Sequence, residues 1–148
     1  MISMSFFLTF LSFWGGFFQE DKPAEPAVFA VFVGRTPCEA ISKNLGLPVA
    51  ADCFKLKWKV TLYQDTSTKT PGNYKIEATF CRQKARTGSW KIVKGDESYP
   101  VIYELDFDGK PLRFYLADDV LFFLNADGEL LPGDSQFSYT LNKKPEAI

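Results

Sequence analysis

Apolar and polar residues alternate with a period of two along most of the chain from Val28 onward. In the segment FKLKWKVTLY, residues 54–63, every second side chain from Phe54 to Leu62 is apolar, and lysines occupy the first three positions between them. Successive side chains of a β-strand point to opposite faces, so this period indicates a strand with one face in a core and the other in water. Such a strand is typical of an antiparallel sheet.

The same alternation recurs in shorter segments that turn-forming residues separate. Pro71-Gly72 and Asp108-Gly109 are expected to reverse the chain, as are residues 126–129. No long helix is predicted between the strands, and only Glu39–Leu45 is expected to form a turn or two of helix. The segments are VFAVFVG (28–34), YKIEATFCR (74–82), GSWKIV (88–93), YPVIYELDF (99–107), PLRFYLA (111–117), DVLFFLN (119–125) and QFSYTLN (136–142).

About eight such strands predict an all-β domain at residues 28–142, and specifically a small antiparallel up-and-down β-barrel. A barrel leaves no open sheet edge, which favours it over a two-sheet sandwich, our second choice. Its interior is expected to be largely filled by aromatic and aliphatic side chains, with Ile92 among those that face inward. The inward positions that would contact any ligand held there are Leu56, Trp58, Ile76, Phe80, Trp90, Val101, Tyr103 and Phe114.

The composition narrows the classes of function. The 148 residues include fifteen Phe, enough ring area to fill one core without depending on disulfides. The formal charge of −1 argues against nucleic acid, and against an anionic membrane surface, as the main partner. The chain has no histidine, which removes the commonest general base and the commonest metal ligand, so we predict that it is not an enzyme.

The first eighteen residues, MISMSFFLTFLSFWGGFF, carry no charged side chain. Their apolar stretch from Phe6 to Phe18 is too short to span a bilayer comfortably, but its length fits the core of a secretory signal. We therefore favour an export signal at 1–18 over a strand or buried segment of the domain. A charged, Pro-containing linker at 19–27 and a C-terminal tail at 143–148 flank the barrel.

A series of short motifs in the barrel region resembles the N-terminal domain family of the copper-resistance lipoprotein NlpE. The motifs are GRTPC (34–38), DC (52–53) leading into a strand, VTLY (60–63), GSW (88–90), VLFFLNADGELL (120–131) and FSYTLN (137–142). Their order covers residues 33–142. The resemblance implies a barrel like that of a bacterial lipocalin, exported to the periplasm, the outer membrane or the cell surface. It also implies a link to copper tolerance or to the sensing of envelope stress.

This chain departs from the family pattern at its cysteines. Typical members carry Cys-x-x-Cys, whereas here the segment EAISKNLGLPVAAD separates Cys38 from Cys53. In the sequence as it stands, no cysteine for lipid attachment follows the apolar leader, and we expect no second domain after the barrel. The lipid anchor of the family, and any signalling that needs a second domain, are therefore not carried over to this chain.

Three interpretations of Cys38 and Cys53 remain open. In an exported protein, a disulfide between them would close a loop of about fifteen residues and contribute about 3 kcal/mol. Two thiolates would alternatively suit a soft ion such as Cu(I). The third interpretation is thiol exchange, although the spacing lacks the Cys-x-x-Cys geometry that lowers a thiol pKa. Cys81 is expected to be unpaired, on the outward face of its strand.

Two charged groups are weaker candidates for a site. Lys55, Lys57 and Lys59 form a stripe that could bind an anion, although such a stripe is more often the solvated face of a strand. Asp118-Asp119, with Asp106 and Asp108, could hold a hard cation, but at turns aspartate is favoured for local hydrogen bonds. We therefore interpret the lysines as the solvated face of a strand and the aspartates as turn residues.

We expect a non-catalytic barrel of the cell envelope that binds a small hydrophobic ligand, a soft metal or an envelope protein. The alternative is a structural module with a solid core, whose rim meets another protein. No cofactor is expected apart from the Cu(I) alternative, and neither nucleic acid nor a transmembrane span in the mature domain is expected. The two classes differ in one feature, which is whether the inward side chains leave room for a ligand.

Overall fold

The computed structural model describes Gly16 and residues 26–47, 49–81 and 84–145. The expected leader and linker lie almost entirely outside these residues, as does the end of the tail. The described chain contains eight strands, a helix α1 at Glu39–Leu45 and a 3-10 turn at Thr79–Cys81. The strands are β1 (Ala27–Thr36), β2 (Leu56–Gln64), β3 (Pro71–Ala78), β4 (Arg86–Lys94), β5 (Val101–Phe107), β6 (Lys110–Ala117), β7 (Val120–Phe123) and β8 (Thr140–Lys143).

The eight described strands form a closed antiparallel barrel in sequence order, in which β8 returns to pair with β1. The predicted up-and-down barrel is confirmed, together with the short helix at Glu39–Leu45. The closing seam is short, since its registered pairs are Phe32 with Lys143 and Val33 with Asn142. Gly34 permits this approach because a Cβ at that position would lie 2.6 Å from the Thr140 carbonyl oxygen.

Side chains fill the interior of the barrel. The rings of Phe114 and Phe123 have centroids 4.6 Å apart, and Trp58 lies 5.2 Å from Phe123. Rings and aliphatic groups from all eight strands belong to one buried cluster. The members with less than 2% exposure include Phe32, Leu56, Val60, Leu62, Ile76, Leu105, Phe114, Leu121, Phe123 and Leu141.

Both ends of the barrel are covered. At one end, which we call the rim, the β1–β2 connection places Ile41 and Leu45 of α1 against the core, at 1% and 7% exposure. At the opposite end, the rings of Phe29 and Tyr103 pack on Trp90, with centroid distances of 5.2 and 5.3 Å. The core therefore extends from α1 through the barrel to this ring cluster.

Several inward assignments are wrong, and all of them fall where strands end. Phe54 is 62% exposed because β2 begins only at Leu56. Ile92 and Val101 are 50% and 37% exposed because β4 and β5 continue beyond the interior at the end opposite the rim. Cys81 does not lie on the outward face of a strand, since β3 stops at Ala78 and the chain turns.

Candidate functional site

A disulfide joins Cys38 to Cys53 at the rim, with Cα atoms 6.1 Å apart. This result confirms the disulfide interpretation of the two cysteines. The bond ties the start of α1 to the chain that enters β2, so it fixes the helix over the barrel end. The helix ends at Gly46, whose φ of 63° is a conformation that glycine adopts without strain.

A groove of about 630 Å³ opens on the rim beside the disulfide. We call it the rim groove. Residues 37–40, 43–44 and 53–54 line one side, and residues 125, 131–134 and 139 line the other. The Tyr139 hydroxyl accepts a hydrogen bond from the Ala40 amide at 3.2 Å, which joins the two sides. Loops that a rigid scaffold holds in this way are the usual place for binding residues.

The groove combines apolar and charged groups. Phe54 lies at one lip, where its ring centroid is 6.4 Å from that of Phe137. Lys43 pairs with Glu39 at 3.2 Å, and the Asp134 carboxylate accepts hydrogen bonds from two amides of its own loop. Those hydrogen bonds lower the pKa of Asp134. The arrangement offers contact area and hydrogen-bonding groups rather than an acid–base pair.

The eight residues predicted to line a ligand site occupy three environments. Six belong to the filled interior and are at most 5% exposed, namely Leu56, Trp58, Ile76, Trp90, Tyr103 and Phe114. Phe80 is half-buried in the 3-10 turn, and its ring centroid lies 5.1 Å from that of Trp58. Val101 is exposed at the opposite end. The structure therefore places the six in one buried core cluster.

The disulfide also bears on the metal alternative. With Cys38 and Cys53 joined, neither sulfur is a thiolate, so Cu(I) binding at this position would require the bond to be reduced first. Among the described residues, no group of three or more Cys, Asp or Glu side chains is arranged to hold a metal ion. Cys81 is a free, half-buried thiol whose Sγ lies 3.6 Å from the Ile76 carbonyl oxygen.

The groups with shifted pKa values owe those shifts to local structure. Backbone and side-chain hydrogen bonds from Thr68 and Ser67 lower the pKa of Asp65 to about 2. A hydrogen bond from Arg113 lowers the pKa of Glu104 on the outer wall. Burial raises the pKa of Tyr74 to about 12. Each of these pKa shifts is therefore explained by the turn, the ion pair or the core in which the group lies.

Comparison with protein-family models, with curated proteins and with solved structures finds no match to this chain. The rim groove is the feature that reasoning from the sequence missed, because its two sides lie far apart along the chain.

Among the described residues, no helix has the length and apolar character that crossing a bilayer requires.

Proposed function

We propose that this chain is a non-catalytic protein of the cell envelope, and that it binds another envelope protein through the rim groove. The observation that carries the proposal is the filled interior. Sites for small hydrophobic molecules are cavities of about 300–1,000 Å³. Here the rings of Trp58 on β2 and Phe123 on β7, two strands that are not neighbours in the sheet, have centroids only 5.2 Å apart, so a ligand would have to displace core side chains. This favours the structural interaction module over a carrier.

The groove supplies the second support for the proposal. Leu131 and Pro132 give it an apolar part, while Asn44 and Lys43 give it a polar border. An apolar centre with a polar border is the usual composition of a protein–protein contact. The disulfide and the Tyr139–Ala40 hydrogen bond hold both sides in place before a partner arrives, which lowers the entropic cost of binding.

The cellular setting rests on separate observations. A stable disulfide is typical of the periplasm and other oxidising compartments, and the apolar leader suits export. The resemblance of the sequence to the NlpE family supports a role in sensing envelope stress or in copper tolerance. In that role, the partner would be a protein that reads the state of the envelope.

Site-specific photo-crosslinking in the native cells tests the proposal. A photoreactive residue replaces the exposed Asn44 at the groove, and a matched control replaces the exposed Lys94 at the opposite barrel end. We expect a discrete protein adduct from position 44 alone. Leu131→Glu, which places a charge in the groove, should abolish that adduct at a temperature where circular dichroism shows the variant to be folded. The absence of an adduct at position 44, or an adduct that Leu131→Glu leaves unchanged, would overturn the proposal.

A further inference from the structure

Two cations face each other on the outer wall next to the rim. The register of β1 and β2 places Arg35 directly opposite Lys57, and both side chains are exposed. Like charges in directly opposed positions of an antiparallel pair repel one another. Neither side chain forms a salt bridge with any residue that the structure describes. The pair therefore leaves an unneutralised positive charge on the wall.

Two other cations on the wall are each paired with a carboxylate. Lys59, the next lysine along β2, lies 3.6 Å from Glu77 on the neighbouring strand. Arg113 lies 2.9 Å from Glu104 in the same cross-strand manner. The lysine stripe of β2 thus divides into a neutralised part at Lys59 and an unneutralised part nearer the rim.

An exposed aromatic ring at the lip of the rim groove precedes the unneutralised part along the chain. Phe54 is 62% exposed, the highest value among the exposed large apolar residues, and the Lys55 ammonium lies 5.4 Å from its ring centroid. We call Arg35, Phe54, Lys55 and Lys57 the β1–β2 patch. Asp52 is the nearest carboxylate in sequence, so the patch together with Asp52 has a net charge of +2.

The net charge of the whole chain, −1, does not attract it to an anionic membrane, but the local charge of the patch does. We propose that the β1–β2 patch docks the protein on the surface of a bilayer that carries anionic lipid headgroups. The three cations would contact headgroup phosphates, and the Phe54 ring would enter the boundary with the acyl chains, as in interfacial proteins. Arg35 and Lys57 lie on the convex wall of the barrel, and a convex basic surface with a projecting ring fits a plane of headgroups. The proposal does not depend on a partner in the rim groove.

Co-sedimentation with vesicles tests this docking. Vesicles of equal parts phosphatidylglycerol and phosphatidylcholine should bind the full chain more tightly than vesicles of phosphatidylcholine alone, because the uncharged segment 1–18 contributes about equally to both. Since each basic residue near an anionic surface contributes about 1 kcal/mol, Arg35→Gln with Lys57→Gln should lower the partition coefficient about fivefold for each charge removed. Phe54→Ser should lower the partition coefficient further, and added salt should lower the partition coefficient of every variant.

The matched control is Ile92→Ser with Lys94→Gln on β4. Ile92 is 50% exposed and Lys94 is an exposed cation two residues further on, so this double variant removes similar groups from the opposite end of the barrel. It should leave the partition coefficient unchanged. Leu131→Gln, which should weaken partner binding in the groove without adding a charge beside Phe54, should also leave the partition coefficient unchanged, and this separates the docking from partner binding.

Three outcomes would overturn the inference. One is the absence of binding to the anionic vesicles. A second is binding that the patch variants do not weaken more than the β4 control does. The third is binding to soluble polyglutamate, or to inorganic phosphate, that equals or exceeds binding to the vesicles, since the patch would then be a site for an acidic protein or a free anion.

Discussion

Trp58 donates its indole N–H to the Thr36 hydroxyl oxygen at 2.9 Å, across the β1–β2 pair and inside the core. Thr36 is fully buried and Trp58 is 3% exposed, so neither group can turn to water instead. The Thr36 hydroxyl in turn donates to the Pro37 carbonyl oxygen at 3.0 Å. One hydroxyl therefore satisfies one of the two core indoles and the backbone that leads to the disulfide.

Thr36→Val is expected to lower the free energy of unfolding by about 1–3 kcal/mol, because it leaves the buried indole N–H without an acceptor. Thr36→Ser keeps the hydroxyl and should cost less than the valine variant, even though it removes a buried methyl group. Urea unfolding of the three proteins measures the difference. A valine variant as stable as the wild type would contradict this role for the hydroxyl.

Removal of the disulfide by Cys38→Ser with Cys53→Ser is expected to lower the free energy of unfolding by about 3 kcal/mol, as chain entropy predicts for a loop of about fifteen residues. The amides of α1 should exchange with solvent faster than those of β2, since the helix loses its covalent tie while the strand keeps its partners. Hydrogen exchange and urea unfolding measure the two effects. Cys81→Ser, which leaves the bond intact, is the control, and equal stability of this control and the double variant would refute the expectation.

The turn after β2 predicts a specific response to acid. Asp65 accepts hydrogen bonds from the Ser67 and Thr68 amides at 2.9 Å, and these interactions lower its pKa from 3.8 to about 2. Because the pKa is lower in the folded state, the ionised carboxylate stabilises the fold above pH 3.8 and loses that effect as the pH falls toward about 2. Asp65→Asn should therefore make the free energy of unfolding less dependent on pH in this window.

Carboxyl carbon NMR of the folded protein provides the direct check on Asp65. Its resonance should titrate near pH 2, well below the ordinary value of 3.8. A midpoint at or above the ordinary value would show that the turn does not hold the carboxylate as described. The effect on stability should be small, because the group is exposed to solvent and its interactions are screened.

Most of the fold could be predicted because its signals are local. The alternation in FKLKWKVTLY and the turn formers at Asp108-Gly109 each specify a strand or a reversal within a few residues. The number of predicted strands and the lack of long helices between them predict the closed sheet. An oxidising compartment and the loop length are compatible with the disulfide, and the structure forms it because the β1–β2 register, which pairs Thr36 with Leu56, places Cys38 and Cys53 at the same end of the barrel.

The wrong assignments and the missed features arise where residues close together in the sequence do not determine the structure. Ile92 and Val101 keep the inward parity of their strands, but only the closed barrel determines which positions fall beyond its core. The opposition of Arg35 and Lys57 depends on strand register, which the long β1–β2 connection leaves open in the sequence. The rim groove requires residues 37–54 and 125–139 to meet, and this happens only when β8 pairs with β1.

Titration with a fluorescent apolar probe such as 1-N-phenylnaphthylamine tests most directly whether the interior is solid. Phe114→Ala, which removes a fully buried ring, is the matched variant that should open a dry cavity and gain affinity for a small apolar molecule such as benzene. The wild-type protein is predicted to show no saturable probe binding and no energy transfer from Trp58 or Trp90. Saturable one-to-one binding to the wild type, with quenching of those two indoles, would contradict the account of a filled barrel that works through its rim.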